Sequence, residues 1–265
     1  DTFANRFPDP VLQQVENFYN PTETQNDSFK AVSRYFDRIT RPEQILTSLP
    51  QAIQVMLDQA DCGPAVISMS QDVQGESFDY PEVFFEERIH KIRRIQPDQN
   101  QINKAADIIK NSKQPIIISG GGVLYSEAEK ELSDFAKKHN IPVTPTVMGI
   151  GCMDRNDPYN IGPIGCLGVG SANSLSKDTD LALAIGTKLG DFTTGSWTNF
   201  HNPNFQLVSI NAARFDVSKH RATPVVSDAK LGLLALSKVL GDWKAPDNWY
   251  QRAYKESTEW DKYVQ

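Results

Sequence analysis

The stretch Gln114–Gly149, QPIIISGGGVLYSEAEKELSDFAKKHNIPVTPTVMG, leaves the chain few folding options. PIIIS is a continuous apolar run rich in β-branched residues, the pattern of a strand buried on both faces. Three glycines follow, which allow a tight turn and close backbone approach. Helical spacing over 126–139 and a second apolar run, PVTPTV, complete a strand–turn–helix–strand unit. Two strands joined through a helix run parallel, and parallel sheets need helices on both faces.

The pattern continues. Strands are expected at 115–119, 142–147, 181–185, 205–210 and 225–227, with helices at 126–139, 171–177 and 229–240. A leading helix begins at Asp98, an N-cap with Gln101 three residues on, and buries Ile102, Ala105, Ala106 and Ile109. The expected fold class is therefore α/β: a doubly wound, Rossmann-like parallel sheet over 98–241. Residues 1–79 carry a loop opening, two helical patterns and one strand, Ala65–Met69. One of the helices aligns Ile45, Leu49, Ile53 and Leu57, with Thr40 as cap and Pro42 in its first turn. A lone strand leaves its backbone groups unsatisfied, so this segment reads as the later half of another α/β domain. Residues 80–97 read as a linker in which Arg88, Lys91, Arg93 and Arg94 form a solvated face paired with local Glu. Residues 242–265 read as a linker or a terminal helix. With no initiator Met and no signal-peptide pattern, the opening residues look like the inside of a longer chain.

Across 265 residues the net charge is −6 with both signs interspersed, and no apolar run approaches a membrane span. Nucleic acid and membrane are not expected partners. Cys62, Cys152 and Cys166 form neither a disulfide framework nor a zinc spacing, and are expected as small buried or half-buried thiols in a reducing cytoplasm.

A dinucleotide fingerprint needs G-x-G-x-x-G and an acid after the second strand. Tyr125 stands where the third glycine belongs, and no acid precedes Asp154, so a nicotinamide dinucleotide is not expected. What survives is a crevice at the strands' C-terminal ends, with Gly120, Gly121, Gly122, Gly165, Thr187, Lys188 and Asp191 as candidate cofactor-binding residues. There, N–H groups after the first strand and at the start of the 126–139 helix could face an anion. The alternative is that these glycines serve only turns. No catalytic or metal-binding residue is assigned, because His90, His139, His201 and His220 lack ligand spacing and no hydrolase or P-loop motif occurs.

The order of parts, "GPAVISMSQDVQGE", then "GGG", "PVTPTVMGIG", "GTKLGDF" and "VVSDAKLGL", resembles the thiamine-diphosphate enzymes of the acetohydroxyacid synthase type. These consist of pyrimidine-binding, central and pyrophosphate-binding domains. Within the family, "DTFANRFPDPVLQQVE" and "SINAARFDVSKHRATPVVSDAK" are similar to the branch that hydrolyses a C–C bond of a cyclic polyol dione in myo-inositol breakdown. The resemblance covers essentially the whole chain. It implies a cytoplasmic homo-oligomer using thiamine diphosphate and Mg²⁺ on a small-molecule substrate. It also implies that this chain lacks both the activating glutamate and the G-D-G…N motif, so that alone it is inactive and holds no cofactor. Flavin-binding relatives place arginine at the positions of Lys188 and Phe192, so FAD is not expected and the crevice reads as vestigial. An acetolactate-synthase-like ligase, or a stand-alone nucleotide-binding module on the same central fold, are the alternatives.

Overall fold

A computed structural model describes residues 2–7 and 17–264; most of the opening phrase "DTFANRFPDPVLQQVE" lies outside the described residues. The chain divides into two compact units, Asp1–Arg93 and Arg94–Gln265.

The first unit is built on β1 (Tyr35–Ile39), α1 (Ile45–Met56) and β2 (Ala65–Met69). The strand expected to stand alone has a partner. β1 and β2 pair in parallel from Tyr35↔Ala65 to Ile39↔Met69, so the facing backbone groups of YFDRI and AVISM satisfy one another. Asp37 and Arg38 obscure β1 in the sequence, because charges in a short run read as loop. Arg38 is held in place: its Nη2 donates to Asp27 Oδ2 at 2.7 Å and to Thr24 Oγ1 at 2.9 Å. Thr40 does not cap α1. The Gln44 side chain instead accepts from the Thr40 and Arg41 amides at 2.7 and 3.1 Å.

The second unit carries a five-stranded, wholly parallel sheet. Its strands are β3 (Pro115–Ser119), β4 (Val143–Pro145), β5 (Leu181–Ile185), β6 (Gln206–Asn211) and β7 (Thr223–Val226), in the order β4-β3-β5-β6-β7. Side chains alternate between faces as strand geometry requires. Ile117, Leu183 and Val208 join α2 (Gln99–Asn111), α4 (Glu129–His139) and α7 (Ala229–Leu240) in one core. Ile116, Ile118, Ala182 and Ala184 join α5 (Gly170–Asp178) in the other. Helices on both faces make this the α/β doubly wound arrangement expected from the sequence.

Asp98 caps α2 by accepting from the Asn100 and Gln101 amides. The Gln101 side chain does not return to the cap; it accepts the N–H of Val226 on the edge strand β7 at 2.9 Å. Arg94, expected to pair locally, instead reaches the fully buried Asp228 carboxylate at 3.0 Å. The tail forms α8 (Asp247–Val264), with Trp249, Ala253 and Ser257 buried on the α5 side of the sheet. Trp249 Nε1 donates to the Pro115 carbonyl at 2.8 Å, tying the helix to β3.

Candidate functional site

The chain leaves β3 outward to β4 and re-enters the sheet at β5, so the strand order reverses between β3 and β5. Open α/β sheets place ligands at this switch, beyond the strands' C-terminal ends. Two glycine turns meet here: Gly120–Gly122 after β3, entering the short helix α3 (Gly121–Tyr125), and Gly186–Thr187 after β5.

They are locked together. The Gly120 N–H donates to the Ile185 carbonyl at 2.8 Å and the Gly122 N–H to the Gly186 carbonyl at 2.9 Å. Of the three glycine amides after β3, that of Gly120 is thereby taken up at the end of β5 and that of Gly122 by the turn just beyond it, while that of Gly121 is not engaged this way. A Cβ at position 122 would sit 2.6 Å from Gly186 Cα, and one at position 120 would sit 2.6 Å from Thr187 Cβ. Neither position tolerates a side chain, because Gly186 backbone lies where it would go. Gly186 itself has φ +59°, a conformation that suits glycine.

Of the candidate residues, Gly120, Gly121, Gly122 and Thr187 converge on this junction. Thr187 faces inward to its own turn, its Oγ1 accepting the Leu189 N–H at 3.2 Å and its carbonyl accepting Asn211 Nδ2 at 3.1 Å. Lys188 is exposed. Asp191 opens α6 (Asp191–Thr194), and its Oδ1 accepts the Ser196 hydroxyl at 2.7 Å. Gly165 belongs to a second cluster. At φ +103° it lies against α6, where a Cβ would strike the Phe192 carbonyl, and the Asn173 side chain holds its N–H and C=O at 2.9 and 3.0 Å.

The site also has a rim that the sequence reading missed. Tyr125 (77% exposed), Met148 (69%) and Phe192 (67%) stand out in solvent beyond these strands. Met148 Cβ and the Tyr125 ring each lie 3.7 Å from where a Gly121 Cβ would be, so they flank the one unconsumed amide. Isolated apolar residues in helices of about one turn carry no period, and no pattern could have marked them. Also unsignalled is the backbone beyond β5 and β6, where Ser196, Trp197, His220 and Arg221 take positive φ and the Trp197 and His220 rings lie 4.4 Å apart. Such conformations persist only where surrounding structure imposes them.

Chemically, the junction offers shape rather than reactivity. Cys152 is buried beside it, donates to the Gly149 carbonyl and has its thiol pushed up by burial, which suppresses the thiolate. Cys62 and Cys166 are exposed, contrary to the buried or half-buried setting expected of all three. Among the described residues no group of three or more His, Cys, Asp or Glu is placed to hold a metal ion. No helix among them is long and apolar enough to cross a membrane.

Residues 102–236 match the family model described as "Thiamine pyrophosphate enzyme, central domain". Among curated proteins, the 3D-(3,5/4)-trihydroxycyclohexane-1,2-dione hydrolase of Clostridium tetani is 44% identical over 99% of this chain and 41% of its own length. Those of Clostridium botulinum (strain Alaska E43) and Bacillus cereus are 48% and 44% identical over 91% and 89% of this chain, and 37% of their own length in each case. The chain thus spans about two-fifths of the length of the curated relatives it matches. With a parallel five-stranded sheet and helices on both faces beneath the matched segment, the chain belongs to the thiamine pyrophosphate enzymes through their central domain.

Proposed function

We propose that this chain is part of a thiamine-diphosphate-dependent C–C hydrolase that opens a trihydroxylated cyclohexane-1,2-dione. The observation that carries the reading is identity of 44% sustained over 99% of the chain with a relative of that name. The bond broken joins two adjacent carbonyl carbons. Water supplies a hydroxyl to the carbon that becomes the acid and hydrogen to the carbon that becomes the aldehyde, giving a 5-deoxyglucuronate-type product. Thiamine diphosphate supplies the electron sink such a cleavage needs. Within this reading residues 1–79 are the later half of a pyrimidine-binding domain, 80–97 a linker, 98–241 the central domain, and 242–265 lead onward. A cytoplasmic homo-oligomer using Mg²⁺ belongs to the same proposal.

The described residues do not fit the thiamine cofactor or its metal. They hold no metal-binding cluster, the chain has no G-D-G, and two of the three amides at the glycine junction are engaged by the Ile185 and Gly186 carbonyls. No catalytic step is therefore assigned to residues of this chain. The junction is read as a structural clamp between β3 and β5, vestigial as a nucleotide pocket and without FAD.

The assay uses the protein of the complete reading frame. Loss of the ring dione with formation of one acid and one aldehyde group, dependent on thiamine diphosphate and Mg²⁺, is expected. Acetolactate formation from pyruvate without ring opening would overturn the substrate class. For the chain as given, calorimetric titration with thiamine diphosphate and Mg²⁺ is expected to show no heat of binding; micromolar affinity would contradict the assignment of the cofactor site.

A further inference from the structure

Between α7 and α8 the chain runs through a strap, residues 241–246, that is gripped by the C-terminal end of α4. Asn140 ends α4 in the left-handed conformation, φ +57°. The His139 carbonyl accepts the Ala245 N–H at 2.9 Å, and Asn140 Nδ2 donates to the Ala245 carbonyl at 3.3 Å. The His139 ring, wholly buried, reaches the strap as well, with Nδ1 2.8 Å from the Trp243 carbonyl. Its other nitrogen, Nε2, lies 3.2 Å from Ser237 Oγ on α7.

These contacts set the protonation state. A carbonyl only accepts, so Nδ1 carries the proton and Nε2 must accept from the Ser237 hydroxyl. The same hydroxyl oxygen already accepts from Lys138 Nζ at 3.1 Å. A second ring proton would turn two cationic donors on one serine oxygen, inside the protein, with the hydroxyl's own proton displaced. The groups facing the ring are Phe135 and Lys138 from α4, Ser237 from α7 and Trp243 from the strap, and the charge acting on it is that of Lys138.

We propose that His139 is an acid-sensitive latch: neutral, it clips the strap and the entry of α8 to α4, and protonated, it lets the strap go. Burial first, and then the Lys138 charge, hold the ring below its usual 6.5 against the favourable contact with Trp243. A base held low in the closed state is neutral there at a pH where the open state is already protonated. The latch is therefore at full strength above pH 6.5 and weakens as pH falls below it, until the closed-state ring also titrates.

Backbone hydrogen exchange of the amides of 243–253, corrected for intrinsic rate, measures the open population from pH 7.5 to pH 5.0, with α2 amides as reference. The expected rise in opening is up to about tenfold per pH unit below 6.5 in the native chain. His139→Gln keeps one donor and one acceptor and is expected to show no pH dependence. Lys138→Gln, at an exposed position, moves the closed-state titration back toward 6.5, so its total rise is smaller. An unchanged profile in Lys138→Gln, or the native profile in His139→Gln, would overturn the proposal; if the His139 variant does not fold, the Lys138 variant decides it.

Discussion

Ile102, Ala105, Ala106 and Ile109 fall at helical spacing on α2 and are wholly buried. On α1 and its C-cap the equally regular stripe Ile45, Leu49, Ile53 and Leu57 is at best half-buried, with Leu49 37% exposed. What α1 buries instead is Ser48 and Ala52, small residues that let it close on the pair β1–β2. Strands differ in the same way: every residue of β3 and β5 is buried, while β1 and β2 bury one residue each. Periodicity tells which face a helix could hide. The number of strands beneath it decides how much of that face is hidden.

Truncation gives the sharpest way to break this comparison. Ile109→Ala is expected to cost about 2–5 kcal/mol, the range for a large side chain removed from a full core. Leu49→Ala is expected to stay within about 1 kcal/mol, since little apolar area leaves water there. Urea unfolding of both variants checks the pair. Equal losses would mean that the first unit is as tightly covered as the second.

The glycines sharpen it next. Gly122→Ala drives a methyl into Gly186 backbone, and overpacking of this kind costs about 1–3 kcal/mol. Gly75, in the first unit, has nothing within 4 Å of its missing Cβ, and Gly75→Ala is expected to change stability by less than about 0.5 kcal/mol. Thermal midpoints of the two variants distinguish a glycine kept for space from one kept for nothing that the structure shows.

These contrasts explain which parts could be read from the residues. β3 and β5 were legible because both faces are covered, so PIIIS and LALAI are apolar throughout. β1 was not, because YFDRI spends two of its five positions on Asp37 and Arg38, and the partners that hold Arg38, Asp27 and Thr24, lie 11 and 14 positions away. The glycine junction was legible as a place, yet its N–H directions were not: which carbonyl an amide meets depends on the β3–β5 register, from Pro115↔Leu181 to Ser119↔Ile185. Arg94 and Asp228 stand 134 positions apart, and no local pattern could join them.

A smaller effect tests whether α8 is as much a part of its unit as the helices between strands. Trp249→Phe keeps an aromatic ring against the sheet but removes the donor to the Pro115 carbonyl together with part of the indole's buried volume. One hydrogen bond is worth about 0.5–1.5 kcal/mol net. A loss of at least that size, read from chemical denaturation with Trp197, Trp243 and Trp260 as remaining reporters, fits a helix that unfolds with the sheet. No loss would mean that α8 detaches first.

The smallest expected effect lies in acid, and it separates the two units by pH. Asp27 is pulled well below its usual 3.8 although burial pushes the other way, because Lys30, the Thr24 amide and Arg38 all donate to it. A carboxyl lowered in the folded state binds fewer protons there than in the unfolded chain. Its stabilisation is thus complete above 3.8 and fades as pH falls below that value. His139 in the second unit becomes charged on protonation where Asp27 becomes neutral, but it too is lowered in the folded state, so its contribution also fades on acidification, starting from 6.5. Between these two values the first unit should hold its stability while the strap region of the second weakens. Asp27→Asn removes the carboxylate's response, so its loss of structure below pH 3.8 is expected to be flatter than in the native chain. Hydrogen exchange of β1 and β2 amides across that range measures it, and an unchanged acid profile in Asp27→Asn would assign the response to another carboxylate.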